Sequence, residues 1–145
     1  LSSIGDPMIP AFAGLVCGAS SLRKPVMLAG GTQMGAVLSV VKSLQPDAVE
    51  NLVICTTRWI IEDRSADLKG IIKQVAPVAI IAADINFSEL PYEGLKAYER
   101  GVVKEGVGCG GAVVAALLKE RKLRVEDIIG EVGGNYGKLI ELSVK

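Results

Sequence analysis

The chain contains no histidine among its 145 residues. That absence removes Ser-His-Asp and Cys-His nucleophilic catalysis and His-ligated metal chemistry, so proton transfer falls to Asp, Glu, Lys, Tyr or Cys. Aromatic residues are scarce at 4% while 50% of the chain is hydrophobic. The core is therefore Ala, Val, Ile and Leu, a composition suited to a buried parallel sheet covered by helices. Cys17, Cys55 and Cys109 are odd in number and far apart. They fit neither a disulfide framework nor a zinc site and point to a reducing cytoplasm. The formal net charge is zero with dispersed lysines, which leaves no electrostatic footprint for nucleic acid. No apolar run is long enough to span a membrane. The opening Leu1-Ser2-Ser3-Ile4 has neither an initiator Met nor a signal-peptide pattern, so the chain reads as a fragment whose missing part completes the site.

What is present is an alternation of helices and short apolar runs. Met8 to Leu22 reads as a helix rich in small residues, with Asp6 as N-cap and Pro7 at its first position. Pro25 to Ala29 reads as a buried strand ending at Gly30-Gly31-Thr32, followed by a helix from Gln33 to Leu44 with Met34, Val37, Leu38 and Val41 on one face. A second strand, Asn51 to Thr56, ends at Thr56-Thr57-Arg58. A helix from about Ala66 to Val75 precedes a third strand, Val78 to Ala82, that stops at Asp84, and Leu90-Pro91 opens another helical segment toward Arg100. Gly133-Gly134-Asn135-Tyr136-Gly137 reads as a turn joining a last helix to a C-terminal strand or tail. The expected fold is one α/β domain over residues 1–145, a Rossmann-like three-layer parallel sheet with helices on both faces, forming part of a larger domain.

In such sheets, ligands bind beyond the carboxyl ends of the strands. Gly30, Gly31, Thr32, Thr57, Arg58 and Asp84 all fall there. The turn after the first strand offers backbone N–H groups at a helix start, where a phosphate or carboxylate would sit, or it is an ordinary strand-to-helix turn. Arg58 suits phosphate oxygens, and it also lies at helical spacing from Glu62, where a surface ion pair forms. Asp84 is placed to hold a ribose or a cation, or to cap the next turn. Trp59 and Tyr98 could wall a pocket for a flat base, or simply pack.

The densest signal is Lys104-Glu105-Gly106-Val107-Gly108-Cys109-Gly110-Gly111, in which one carboxylate precedes four glycines and the apolar helical run Ala112 to Leu118. Glycines so placed admit close backbone approach to a ligand, and the helix behind them presents free N–H groups and the positive end of its dipole. Gly106, Gly108 and Gly111 formally satisfy the dinucleotide fingerprint, but Tyr98 to Lys104 is no buried strand, so a Rossmann dinucleotide site is weakly supported. Gly30 to Gly35 has P-loop spacing, but Ala36 and Val37 stand where Lys and Ser/Thr belong. Nothing near Cys109 argues for an activated nucleophile.

The run Pro25 to Gly30 after a small-residue helix, the Thr56-Thr57-Arg58 strand end and Glu105-Gly106-Val107-Gly108 together resemble the C-terminal half of nicotinate-nucleotide–dimethylbenzimidazole phosphoribosyltransferase, and more closely its uncharacterised archaeal relatives. The resemblance covers roughly residues 5 to 120. Its specific element is the Glu-Gly-x-Gly segment, with Val107 where bacterial members have Thr. Ala29 stands where those members have Asp, and Thr replaces the His of their His-Arg pair.

The resemblance implies transfer of phosphoribose from nicotinate mononucleotide to a free aromatic base, in the lower-ligand branch of cobalamin assembly. It makes Glu105 the general base on the attacking nitrogen and assigns substrate contacts to Gly30, Gly31, Thr32, Thr57, Arg58, Asp84, Gly106 and Gly108. No metal or other cofactor is implied, because nicotinate is already a cationic leaving group when linked to ribose. The base stays open between dimethylbenzimidazole, adenine and phenols. A homodimer is expected, and so is inactivity of the fragment by itself. The alternative reading is a non-catalytic nucleotide- or phosphate-binding domain built on the same strand-end loops.

Overall fold

Asp6 and Pro7 open the first helix by a simple division of labour. The Met8 N–H donates to the Asp6 carboxylate at 2.9 Å, while Pro7 has no N–H to satisfy at the helix start. The computed structural model describes residues 5–103 and 105–143. It places, in order, α1 (Met8–Ser21), β1 (Val26–Ala29), α2 (Gln33–Leu44), a 3-10 helix (Pro46–Asn51), β2 (Leu52–Thr57), α3 (Arg58–Glu62), α4 (Leu68–Val75), β3 (Ala79–Ala83), α5 (Glu93–Glu99), α6 (Cys109–Lys119) and α7 (Val125–Ser143).

The three strands pair in parallel in the order β1-β2-β3, with Ala29 opposite Cys55 and Thr57 opposite Ala83. Both crossovers run over one face, as a single handedness requires for two successive steps in the same direction. There Val16 of α1, Val37, Leu38 and Val41 of α2, and Leu68 and Ile72 of α4 pack with Leu28, Leu52 and Ile54. On the opposite face Cys55, Ala83, Ile85, Phe87 and Leu95 pack with Val113 and Val114 of α6. β2 thus sends Leu52 and Ile54 one way and Cys55 the other, the period-2 pattern of a strand buried on both faces. The fold is Rossmann-like α/β with helices on both sides of the sheet, and no helix among the described residues is long and apolar enough to cross a membrane.

Element boundaries shift for identifiable reasons. β2 begins at Leu52 because Asn51 closes the 3-10 helix. α4 begins at Leu68 because the Asp67 carboxylate accepts the Gly70 N–H at 3.1 Å, in a left-handed conformation (φ 42°) that Asp tolerates. The expected turn at Gly133–Gly137 does not form; α7 continues through it. Its glycines serve packing. A Cβ at Gly133 would meet Leu90 at 3.0 Å and one at Gly137 would meet the Tyr92 hydroxyl at 2.3 Å, so the two glycines, one turn apart, let the helix press against the segment before α5. Tyr136 in turn covers Gly94 and lies 5.3 Å from the Tyr92 ring. Burial against these rings outweighs a glycine cost of about 1 kcal/mol per helical position.

α6 approaches the sheet more closely still. A Cβ on Gly110 would lie 1.9 Å from the Thr56 carbonyl oxygen, and one on Gly111 would lie 2.4 Å from the Ala29 Cβ. The helix therefore rests backbone-on-backbone across the ends of β1 and β2, a contact no side chain permits. Gly110→Ala is expected to destabilise the protein by about 3 kcal/mol, because the obstructing atoms are main chain. Gly130→Ala in α7, where nothing lies within 4 Å, should be neutral or stabilising by up to about 1 kcal/mol. Urea unfolding midpoints of the two variants measure the contrast.

Candidate functional site

β1 ends at Gly30, whose N–H donates to the Cys55 carbonyl at 3.1 Å and so ties the turn to β2. Among the described glycines, positive φ occurs at Gly101 (66°) and Gly106 (75°). Gly30 and Gly31 are therefore glycines for space rather than conformation. A Cβ at Gly31 would sit 3.1 Å from Val107 Cγ2, which shows how closely the Glu105 loop approaches the start of α2. The Thr32 hydroxyl makes no cap bond to the helix it precedes.

The Glu105 loop winds directly into α6: Cys109 N–H donates to Gly106 C=O at 2.9 Å, Gly110 N–H to Val107 C=O at 3.2 Å and Gly111 N–H to Gly108 C=O at 3.0 Å. Only glycine adopts the Gly106 conformation without strain. A Cβ at Gly108 would stand 3.4 Å from the Ala29 carbonyl oxygen, so the loop is seated on the end of β1. The N-termini of α2 and α6, from opposite faces of the sheet, consequently open beside one cleft of ≈ 680 Å³ lined by Gly31, Thr32, Asp63, Ser65, Glu105 and Gly106, with Ile60 and Ile71 as its apolar wall. Two positive helix ends favour an anionic ligand, and the two carboxylates of the lining, Asp63 and Glu105, offer candidate proton acceptors beside it.

Asp63 and Ser65 are cleft residues that sequence reasoning missed. Ser65 donates through its hydroxyl to the Asp63 carboxylate at 2.6 Å and through its N–H at 2.9 Å. The Asp63-Arg64-Ser65 spacing of an Asx turn was the available signal.

Other expected site residues lie elsewhere. Thr57 is fully buried, and among the described residues its hydroxyl has no hydrogen-bond partner. Arg58 is engaged by three carboxylates: Glu99 at 2.6 Å, Glu62 at 3.1 Å and Asp84, 3.1 Å from its Nε. Glu99 dominates because it is mostly buried, whereas Asp84 and Glu62 are exposed and weakly coupled. Burial opposes the guanidinium charge, but the Glu99 hydrogen bond and the three negative charges hold its pKa above the ordinary value. Glu99 also accepts the Trp59 Nε1–H at 3.0 Å and the Phe87 N–H at 2.8 Å. Trp59 and Tyr98 do meet, with ring centroids 4.8 Å apart; they wall an apolar cavity on the α6 face and also a second pocket that adjoins the cleft through Ile60, Asp63 and Val107. Burial pushes the Cys109 thiol up, against the lowering from nearby backbone N–H groups, which leaves it protonated at neutral pH. Among the described residues no group of three or more Cys, Asp or Glu side chains is placed to hold a metal ion.

The chain is similar to archaeal proteins named UPF0284. It is 44% identical over 140 residues to the UPF0284 protein of Sulfolobus acidocaldarius, an alignment covering 97% of this chain and 39% of that protein. To the UPF0284 protein of Methanocaldococcus jannaschii it is 43% identical over 122 residues, covering 83% of this chain and 35% of that protein. To the one of Pyrobaculum calidifontis it is 46% identical over 113 residues, covering 78% and 33%. The chain thus spans between a third and two fifths of the length of these relatives. No family model matches it.

Glu99→Ala is expected to destabilise the protein by about 2 kcal/mol, since it strands the Arg58 guanidinium, the indole N–H and the Phe87 N–H together. Glu99→Gln keeps an acceptor and should recover part of the loss. Chemical denaturation of both variants tests this ordering.

Proposed function

We propose that this chain carries the base-activating portion of a phosphoribosyltransferase that moves phosphoribose from nicotinate mononucleotide to a free aromatic base, as in cobalamin lower-ligand synthesis. The observation that supports the reading is the convergence of Gly31 and Thr32 with Glu105 and Gly106 in one cleft at the carboxyl end of the sheet. In this reading the phosphate lies against the α2 N-terminus and Glu105 faces the anomeric carbon. The acceptor nitrogen attacks that carbon as the bond to nicotinate breaks. The bonding pair neutralises the pyridinium nitrogen of the departing nicotinate, and Glu105 takes the N–H proton of the acceptor. Close approach of substrate to backbone at Gly31 and Gly106 excludes water from the reacting atoms. The remaining polypeptide of a full-length protein would supply the facing wall.

A second reading, a nucleotide- or phosphate-binding domain without turnover, is favoured by the Arg58 knot. With that cation held by three carboxylates and Thr57 sealed, a phosphate in the cleft is left with backbone N–H groups and the neutral side chains of Thr32, Gln33 and Ser65. Binding of mononucleotide by the full-length protein with no nicotinate released in the presence of any base would select this reading.

In the full-length protein, Glu105→Gln should leave the fold intact and lower nicotinate release by about 10²-fold or more, the scale of a positioned base. Gly31→Val should weaken mononucleotide binding far more than base binding, because the added carbons both fill the cleft and push on Val107. Separate calorimetric titrations with the two substrates read the second effect, and unchanged release by the Gln variant would remove Glu105 from the mechanism.

A further inference from the structure

On the α6 face of the sheet, behind the Glu105 loop, lies a pocket of ≈ 300 Å³ bounded by Trp59, Phe87, Tyr98, Val113 and Ile129, with Cys109 at its edge. It is separate from the cleft and shares only Gly106 with it. The pocket opens to the surface, where Cys109 is exposed, so a small molecule can enter it. A far smaller apolar cavity, of about 150 Å³, already stays dry and takes up benzene.

The chemistry of the walls selects the occupant. Trp59, Phe87 and Tyr98 form a ring cluster with centroids 4.8–6.1 Å apart. The indole N–H is turned away, donating to Glu99, which also accepts the Phe87 N–H and pairs with Arg58. The indole N–H and the Phe87 N–H are therefore both satisfied by Glu99, and the surface that lines the pocket is almost entirely apolar. A ligand with hydrogen-bonding edges would be desolvated there with little in return, whereas a flat apolar ring gains contact on all sides. The volume sits at the lower end of the range for small-molecule sites, enough for one or two rings.

We propose that the pocket between the Trp59–Phe87–Tyr98 cluster and α6 and α7 is a binding site for a flat, uncharged, apolar aromatic molecule of one or two rings, recognised by shape and ring contact rather than by hydrogen bonds. The site does not rest on the transferase reading, since it requires neither Glu105 nor the α2 N-terminus. Gly106 in its lining nevertheless places a bound ring next to the loop that carries Glu105.

Two reporters lie in the pocket wall. Trp59 is the single tryptophan of the chain, and Cys109 presents a thiol that a maleimide can alkylate. With p-xylene as the probe, Trp59 emission should change saturably. At ten times the apparent Kd, alkylation of Cys109 should slow about tenfold by mass action, while alkylation of Cys17, on the opposite face, stays unchanged. Adenine, a bicyclic ring of comparable size with polar edges, should do neither at the same concentration. Val113→Phe should weaken the p-xylene effect by filling the pocket; if that variant does not fold, the wild-type alkylation rates decide. Absence of Cys109 protection by p-xylene, or protection by adenine equal to it, overturns the proposal. Because no turnover is measured, failure here would leave the transferase reading standing, and loss of nicotinate release would leave this one standing.

Discussion

The arrangement of the whole site depends on one contact: the first turn of α6 lying on the main chain of the sheet. Gly110 stands where any Cβ would overlap the Thr56 carbonyl, and Gly111 where it would overlap Ala29. Helix-on-sheet packing normally keeps its distance because side chains fill the gap. Removing two side chains brings the start of α6, and the loop ahead of it, to the ends of β1 and β2. Gly108 then seats on the Ala29 carbonyl, Val107 reaches Gly31, and Glu105 joins Gly31 and Thr32 in the lining of one cleft.

The same contact divides the molecule into two chemical environments. On the α2 side, helix N-termini, Asp63, Ser65 and Glu105 surround a polar cleft. On the α6 side, the aromatic cluster and the apolar faces of α6 and α7 enclose a pocket nearly free of polar groups. Glu99 stands between them as an internal organiser. By holding Arg58, Trp59 and Phe87 at once, it withdraws the one strand-end arginine from the cleft and fixes the ring cluster. Charge that a strand-end arginine would offer to a phosphate is spent on architecture, and among the described residues the lining of the cleft holds no Lys or Arg side chain.

How much of this was legible in the sequence follows the range of each interaction. The α2 boundaries, Gln33 to Leu44, were readable because a helix of 3.6-residue period between a glycine turn and a polar stop is a local pattern. The parallel pairing of the strands followed from apolar runs alternating with helices; their order β1-β2-β3 came from the structure. The Arg58–Glu62 pair was readable from spacing, but Glu99, 41 residues away from Arg58, was not. The glycines between Gly133 and Gly137 were misread as a turn because glycine in a sequence signals either conformational freedom or close packing. Only the neighbours, Leu90 and Tyr92, distinguish the two.

By itself the sequence determined the three strands and the main helices that alternate with them, the strand ends as the expected place for a ligand and the position of Glu105 directly before its glycines. These are consequences of local periodicity, turn chemistry and the absence of histidine. Tertiary structure decided which strand-end residues share a cleft, that Thr57 is sealed and Arg58 engaged, and that Trp59 and Tyr98 enclose a pocket apart from the cleft. The physical reason is that each of these depends on how closely α6 and α7 approach the sheet and its flanking segments, which is set by long-range packing of backbone and rings and leaves no periodic trace along the chain.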